Sequence, residues 1–295
     1  MTTLEIAPPA TVSAPERNHD ERRRPATVRR VATAVVRAPG LVAAWLVVVT
    51  AILWALAPTW FTAKSPFDGD PDASFAPPSL AHPFGTDRLG RDLLARLIHG
   101  TSATLSATLL AVLVGFVVGS AVGLLSGFVR GRTDSVVMRF VDVLLAVPGL
   151  LLAMTVVTAL GYGTMNIALA VGISAIAAFA RVMRSEVLKV VQSDYVEAAY
   201  GSGAGFGRVM LRHVLPNSAS AVLSLAALEC GAAILAVAAL GFLGYGAPPP
   251  QPEWGLAVSE GRDYLATYPW ISILPGIVIA LVVLSTNRIS KSLGK

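Results

Sequence analysis

Asp194-Tyr-Val-Glu-Ala-Ala-Tyr-Gly-Ser-Gly-Ala-Gly-Phe-Gly-Arg-Val-Met-Leu-Arg-His-Val-Leu-Pro216 is a polar, glycine-punctuated stretch between two long apolar runs. It carries Asp194, Glu197, Arg208 and Arg212, with glycines at 201, 203, 205 and 207. Charge and irregular backbone of this kind go unsatisfied in hydrocarbon. The stretch must therefore stand on a membrane face, where a soluble partner can grip it. Such a layout belongs to a membrane protein driven from outside rather than to one that carries its own chemistry.

The rest of the 295-residue chain agrees. It is 54% hydrophobic and only 14% charged, against about 25% charged in a typical soluble domain. Its apolar residues fall in blocks, several of which approach the roughly 20 residues that cross a bilayer. The fold class is all-α, a polytopic membrane protein with six transmembrane helices. Residues 1–37, rich in Pro, Ala, Thr and Arg, read as a disordered tail. A first span covers 38–58. Ala55-Leu-Ala57 resembles a signal-peptide cleavage site, but Pro58 follows directly and the basic leader is long, so the span is expected to stay uncleaved. A polar, acidic-leaning segment, 59–102, comes next. Five further spans are expected near 103–128, 141–160, 163–180, 218–243 and 270–286, forming a core over 103–287. Pro148-Gly149 and Pro275-Gly276 are expected to kink the third and sixth spans.

Counting Lys and Arg in alternate loops orients the chain. Placing the N-terminus inside puts 18 of the 23 basic residues on the cytoplasmic side, as the positive-inside rule demands. The tail, the 181–216 loop and residues 288–295 are then cytoplasmic, and 59–102 is extracytoplasmic. The net charge of +5 is thus a topology signal, and nucleic acid is not an expected partner. The chain is expected to be a multi-pass membrane protein with both ends on the cytoplasmic side.

Gly115, Gly119, Gly123 and Gly127 form a stripe at four-residue spacing in the second span, a device for close helix packing in lipid. Cys230 is the single cysteine, so no intrachain disulfide or cysteine metal cluster is expected. There is no Gly-x-x-x-x-Gly-Lys-Ser/Thr phosphate loop and no His-Glu-x-x-His. The histidines at 19, 82, 99 and 213 are scattered, so neither a catalytic centre nor a metal site is expected. Glu229 is the one carboxylate deep in an apolar span. It is a functional candidate by position, able to bind a cation, relay a proton or bond to a neighbouring helix. Asp142 is expected at the interface.

Within 181–216, Asp194 is expected to cap a helix through Glu197-Ala198-Ala199. The glycines then allow a tight reversal, and a second helix from Arg208 is expected to end at Pro216. The product is a short helix–turn–helix. At 36 residues it is long for a plain connection.

Here the chain resembles the permeases of ABC importers. Glu197-Ala198-Ala199, Gly203 and His213-Val-Leu-Pro216 match their "EAA" loop. His213-Val-Leu-Pro-Asn217 is similar to the oligopeptide/dipeptide/nickel branch. So are His82-Pro-Phe-Gly-Thr-Asp-Arg-Leu-Gly-Arg-Asp92, Phe242-Leu-Gly-Tyr-Gly246, Trp254-Gly255 and Pro269-Trp270, which resemble blocks of its C-type subunit. The resemblance implies a type I importer permease fold in the cytoplasmic membrane of a prokaryote. It also implies a second, B-type permease subunit, two ATP-binding subunits that hold ATP and Mg, and an extracytoplasmic substrate-binding protein. The loop residues Glu197, Ala198, Ala199, Gly201, Gly203, Arg208, His213 and Pro216 would contact the ATPase. Di- or oligopeptide is the implied cargo, with nickel or another small solute as the alternative. Where the family has an acidic residue in the fifth span, this chain has Val237. Two readings from other classes stay open on the residues alone: a stand-alone channel or carrier using Glu229, and a non-transporting scaffold.

Overall fold

A computed structural model describes residues 39–293, so the expected tail at 1–37 lies outside the described residues. The described chain is helical, with two isolated bridges, Gly69–Arg91 and Thr86–Asp92, as its strand-like pairings. Helix α1 spans Pro39–Leu56, α2 Leu93–Val129, α3 Gly131–Ala146, α4 Gly149–Leu160 and α5 Thr164–Val191. Then come α6 Asp194–Gly201, α7 Phe206–Val209, α8 Leu215–Phe242, α9 Trp254–Gly261 and α10 Trp270–Leu293. Among these, five helical stretches are long and apolar enough to cross a membrane, or six if the bent pair α3–α4 counts as one.

The core is built on α2 against α5, where the glycine stripe makes its contacts. A Cβ at Gly119 would lie 2.6 Å from the carbonyl oxygen of Ile176, and one at Gly123 would lie 2.3 Å from that of Ala180. The two backbones therefore touch. In lipid, which gives no hydrophobic drive between helices, such contact is what holds a pair together. Helix α8 packs against both α2 and α5, and α10 packs on α8. Helix α1 buries little more than Ala44 and Ala51 and turns its large side chains outward.

Two boundaries depart from expectation. Helix α2 starts at Leu93, ten residues before the expected span, because Asp92 caps it: its Oδ1 accepts from the Ala95 N–H at 2.9 Å. The polar residues that mimic a loop, Arg96 and Thr101, are buried helical positions instead. The third span is broken rather than kinked, with 96° between α3 and α4. Val147, which precedes Pro148, is extended at φ −87° and ψ 129°, as sterics before a proline favour. The 12 residues of α4 reach only about 18 Å, well short of the ~30 Å hydrocarbon core. By contrast, α10 runs on through Pro275 without interruption.

At one end of the bundle the 59–92 segment folds down onto α2, α9 and α10. Arg96 is 1% exposed; its Nη2 donates to Glu260 Oε2 at 2.9 Å and its Nη1 to the Pro66 carbonyl at 3.2 Å. Arg91 Nε donates to Asp87 Oδ2 at 2.6 Å. Asp92 also accepts from Lys64 Nζ at 2.7 Å. Burial pushes the Asp92 carboxyl up, but Lys64, the Ala95 N–H and His82 together hold it below its ordinary value of 3.8. Trp254, fully buried, donates its indole N–H to the Leu97 carbonyl at 3.1 Å and so staples α9 to α2.

Candidate functional site

At the opposite end of the bundle, α5 runs past its expected limit to Val191 and delivers the chain into α6. Two ion pairs steady this approach. Arg184 grips Asp134 with both Nε and Nη2 at 2.5 Å, and Ser126 donates to the same carboxylate at 2.6 Å. Arg181 pairs with Asp142, tying α5 to α3 a turn further on. The sequence reading missed these pairs, counting Arg181 and Arg184 as topology charges and Asp142 as interfacial. The partners lie 39 and 50 residues apart, with no local spacing to betray them.

Helix α6 begins after Ser193, not with Asp194 as its cap, and Ser193 makes no side-chain cap bond. Asp194 and Glu197 occupy the first turn instead, where carboxylates favour the helix dipole. The helix ends by a Schellman motif. Gly203 N–H donates to the Tyr200 carbonyl at 2.9 Å and Ala204 N–H to the Ala199 carbonyl at 3.1 Å. Gly203 holds φ +86°, the left-handed geometry that this cap needs and that glycine adopts freely. The spacing from Ala199 to Gly203 is thus the grammar of a helix stop. Gly201, Gly205 and Gly207 have φ outside that range, and a Cβ on any of them meets only open space.

The returning arm is continuous. Helix α7 passes through a π-helical turn, Met210–Val214, into α8. Pro216 therefore does not end a helix. It sits in the first turn of α8, where a missing N–H is best tolerated. His213 lies half-buried on the π turn, and its carbonyl accepts from Asn217 Nδ2 at 2.6 Å.

One side of this helix–turn–helix is pinned to the core and the other is free. Val196, Val209 and Val214 are buried, and Phe206 packs on Phe128 of α2 with ring centroids 4.4 Å apart. Glu197, Ala198, Gly201, Gly203 and Arg208 are exposed. A cleft of about 520 Å³ opens between the arms, and it brings together Ala198, Ala199, Ser202, Arg208, Arg212 and His213. Of the expected site residues, Glu197, Gly201, Gly203 and Pro216 stand outside it. The surface has small residues at its tip, two acids on one arm, two arginines on the other, and a hold on α2, α5 and α8. It can receive a protein surface and pass a push into the bundle.

Glu229 lies apart from this surface, on α8, in a cavity of about 240 Å³ bounded by α2, α4, α5 and α8. Val237, two turns on, is fully buried.

The fold is that of a multi-pass helical membrane protein that presents an exposed helix–turn–helix at one end of its bundle. The chain belongs to the family described as "binding-protein-dependent transport system inner membrane component", whose model matches residues 119–295. It is 40% identical over 238 residues to the glutathione transport system permease protein GsiD of Pectobacterium atrosepticum, covering 79% of each chain. It is 37% identical to the di/tripeptide transport system permease protein DppC of Pseudomonas aeruginosa, covering 82% of each. It is 36% identical to the dipeptide transport system permease protein DppC of Alkalihalophilus pseudofirmus, covering 84% of this chain and 82% of that one. Two solved structures share the fold. One is of an amino acid ABC transporter with histidines, at TM-score 0.54 and 17% identity, covering 68% of this chain and 93% of that one. The other is the inward-facing MetNI methionine ABC transporter, at TM-score 0.54 and 19% identity, covering 68% and 97%. The chain is a multi-pass permease subunit of an importer.

Proposed function

We propose that this permease carries di- or oligopeptides into the cell, working beside a B-type permease subunit, two ATP-binding subunits and an extracytoplasmic binding protein. The N-terminus, the C-terminus and the α5–α8 turn face the cytoplasm, which accords with the 18 basic residues on that side. The exposed α6 surface carries the proposal: Glu197, Ala198 and Gly201 point outward from a helix whose other face is locked into the core. With Ala199, Gly203, Arg208, His213 and Pro216 they form the ATPase contact. Closure of the ATP-binding subunits pushes on α6. Because Val196, Val209 and Val214 are packed into the core, the push reaches α2, α5 and α8 and rocks the bundle between inward- and outward-facing states. The peptide cargo rests on the relatives, which are named as transport system permeases for glutathione, dipeptides and di/tripeptides.

Co-purification from detergent-solubilised native membranes tests this reading. The tagged chain is expected to bring down a second permease and ATP-binding subunits, and the reconstituted assembly to take up a labelled dipeptide with its binding protein and ATP. Recovery of the chain alone, under conditions that keep a control transporter whole, contradicts the assembly. Uptake of nickel but not dipeptide contradicts the cargo.

A further inference from the structure

Glu229 sits near the middle of α8 and lines the cavity where α2, α4, α5 and α8 meet. The walls are small and apolar: Ala111, Ala153, Val171, Ala232 and Ala236 among them. Ser174 is the other polar side chain that lines it, and no Arg, Lys or His does. Ser174 is already committed, donating to the Val171 carbonyl at 2.7 Å. Among the described residues, Glu229 takes part in no ion pair or hydrogen bond, whereas Asp134, Asp142 and Glu186, the acids of α3 and α5, each have a basic partner. The floor is set by the break in the third span, since Gly149 and Leu150, just past the bend, line the cavity.

An acid in such a place is costly unless something compensates it, and acids inside bundles face one another, a cation or a water-filled path. Among the described residues none supplies a cation here. A cation that enters therefore finds a carboxylate with no competing partner. We infer that the Glu229 cavity is a cargo subsite that receives the primary ammonium at the amino terminus of a peptide in transit. This rests on the proposed peptide cargo. At about 240 Å³ the cavity accommodates one end of a peptide rather than the whole of it. Its small aliphatic walls offer no groups to read side chains, so recognition falls on the feature common to unmodified peptides, a terminal ammonium. Hydrogen bonds to charged groups are the strong ones, so a single carboxylate can hold that end while the bundle rocks.

The test uses the whole assembly in proteoliposomes, with a labelled dipeptide and its N-acetylated counterpart, each delivered on a binding protein that accepts it. Glu229→Gln is expected to lower dipeptide uptake tenfold or more while leaving the ATPase rate stimulated by loaded binding protein within twofold. Glu229→Asp is expected to restore most of the uptake. The N-acetylated cargo is expected to move slowly in the unaltered assembly and to lose nothing further in Glu229→Gln. Wild-type uptake by Glu229→Gln overturns the inference. So does an equal loss for both cargoes, which marks a structural role blind to the amine. Should Glu229→Gln fail to assemble, Ala178→Leu fills the cavity from α5. Unchanged dipeptide uptake in that variant overturns the inference equally. If the unaltered assembly moves no dipeptide but moves another solute, the cargo assignment fails and takes the subsite with it.

Discussion

Gly203 carries the sharpest consequence of the α6 geometry. Its φ of +86° is required by the Schellman cap that stops the helix. Nothing lies within 4 Å of where its Cβ would stand, so a substitution there meets a backbone penalty and no clash within the chain. For an L-residue the left-handed region costs about 1–2 kcal/mol, and more for a β-branched one. Asn tolerates the region best after glycine. A penalty near 1.4 kcal/mol shifts the α6-end equilibrium about tenfold. That is small against the ~5–15 kcal/mol of a folded domain, so insertion and bundle packing persist while the α6–α7 turn loosens. Two assays read this: the half-life of tryptic cleavage at exposed Arg208 and Arg212 in the solubilised assembly, and ATP-driven uptake. The expected order for both is Gly203 > Asn > Ala > Val. Gly205→Ala is the control. Its residue is extended at φ −72° and ψ 159°, its Cβ position is open, and its cleavage rate is expected to match the parent. The reasoning is refuted if Gly203→Val is cleaved no faster than the parent, or if Gly205→Ala loosens the turn as much as Gly203→Ala.

Two further outcomes follow from packing and charge. Gly123→Leu places a side chain 2.3 Å from the Ala180 carbonyl oxygen, backbone that cannot step aside, so a loss at or above the ~1–3 kcal/mol usual for overpacking is expected in the thermal unfolding of the solubilised chain. Gly276→Ala, in open space on α10, is expected to leave the midpoint unchanged or slightly raised. Glu253 is 2% exposed, its Oε1 unpartnered; burial holds its carboxyl above the ordinary 4.5, with the Ala247 N–H pulling only weakly the other way. The folded state binds that proton more tightly than the unfolded one, so this group's contribution is complete below pH 4.5 and falls as pH rises through the higher folded value. Glu253→Gln is therefore expected to raise the unfolding midpoint at pH 8 and to change it little at pH 4; an equal change at both would contradict the assignment.

Much of this molecule was legible in its residues, and the exceptions share a cause. The stripe at Gly115, Gly119, Gly123 and Gly127 could be read because helix packing in lipid is encoded at a local spacing, and it does lie against α5. The helix–turn–helix at 194–216 could be read from its glycines. Its details could not: α6 is preceded by Ser193 and takes Asp194 into its first turn, and a π turn absorbs the approach to Pro216. The early start of α2 hid behind Arg96 and Thr101, whose partners lie as far away as Glu260 and Trp254. Proline at 148 announced a disturbance, but the 96° break also depends on what packs around α4. Glu229 stood out as a lone acid. That it lines a cavity with no cation to meet it emerges only when four helices are brought together. Pairings across more than 30 residues, such as Arg184 with Asp134, leave no mark at short spacing.

The central claim, that a separate ATP-binding subunit drives this chain through α6, is tested most directly by site-specific photo-cross-linking at Ala198 in native membranes. Ala198 is exposed and lies beside the cleft, and the comparison position is Leu113, exposed on the membrane-embedded part of α2. The expected result is a single adduct at Ala198 with the mass of this chain plus an ATP-binding subunit, lost at Leu113. No protein adduct at Ala198 in membranes that transport the cargo, or the same adduct from both positions, would contradict it.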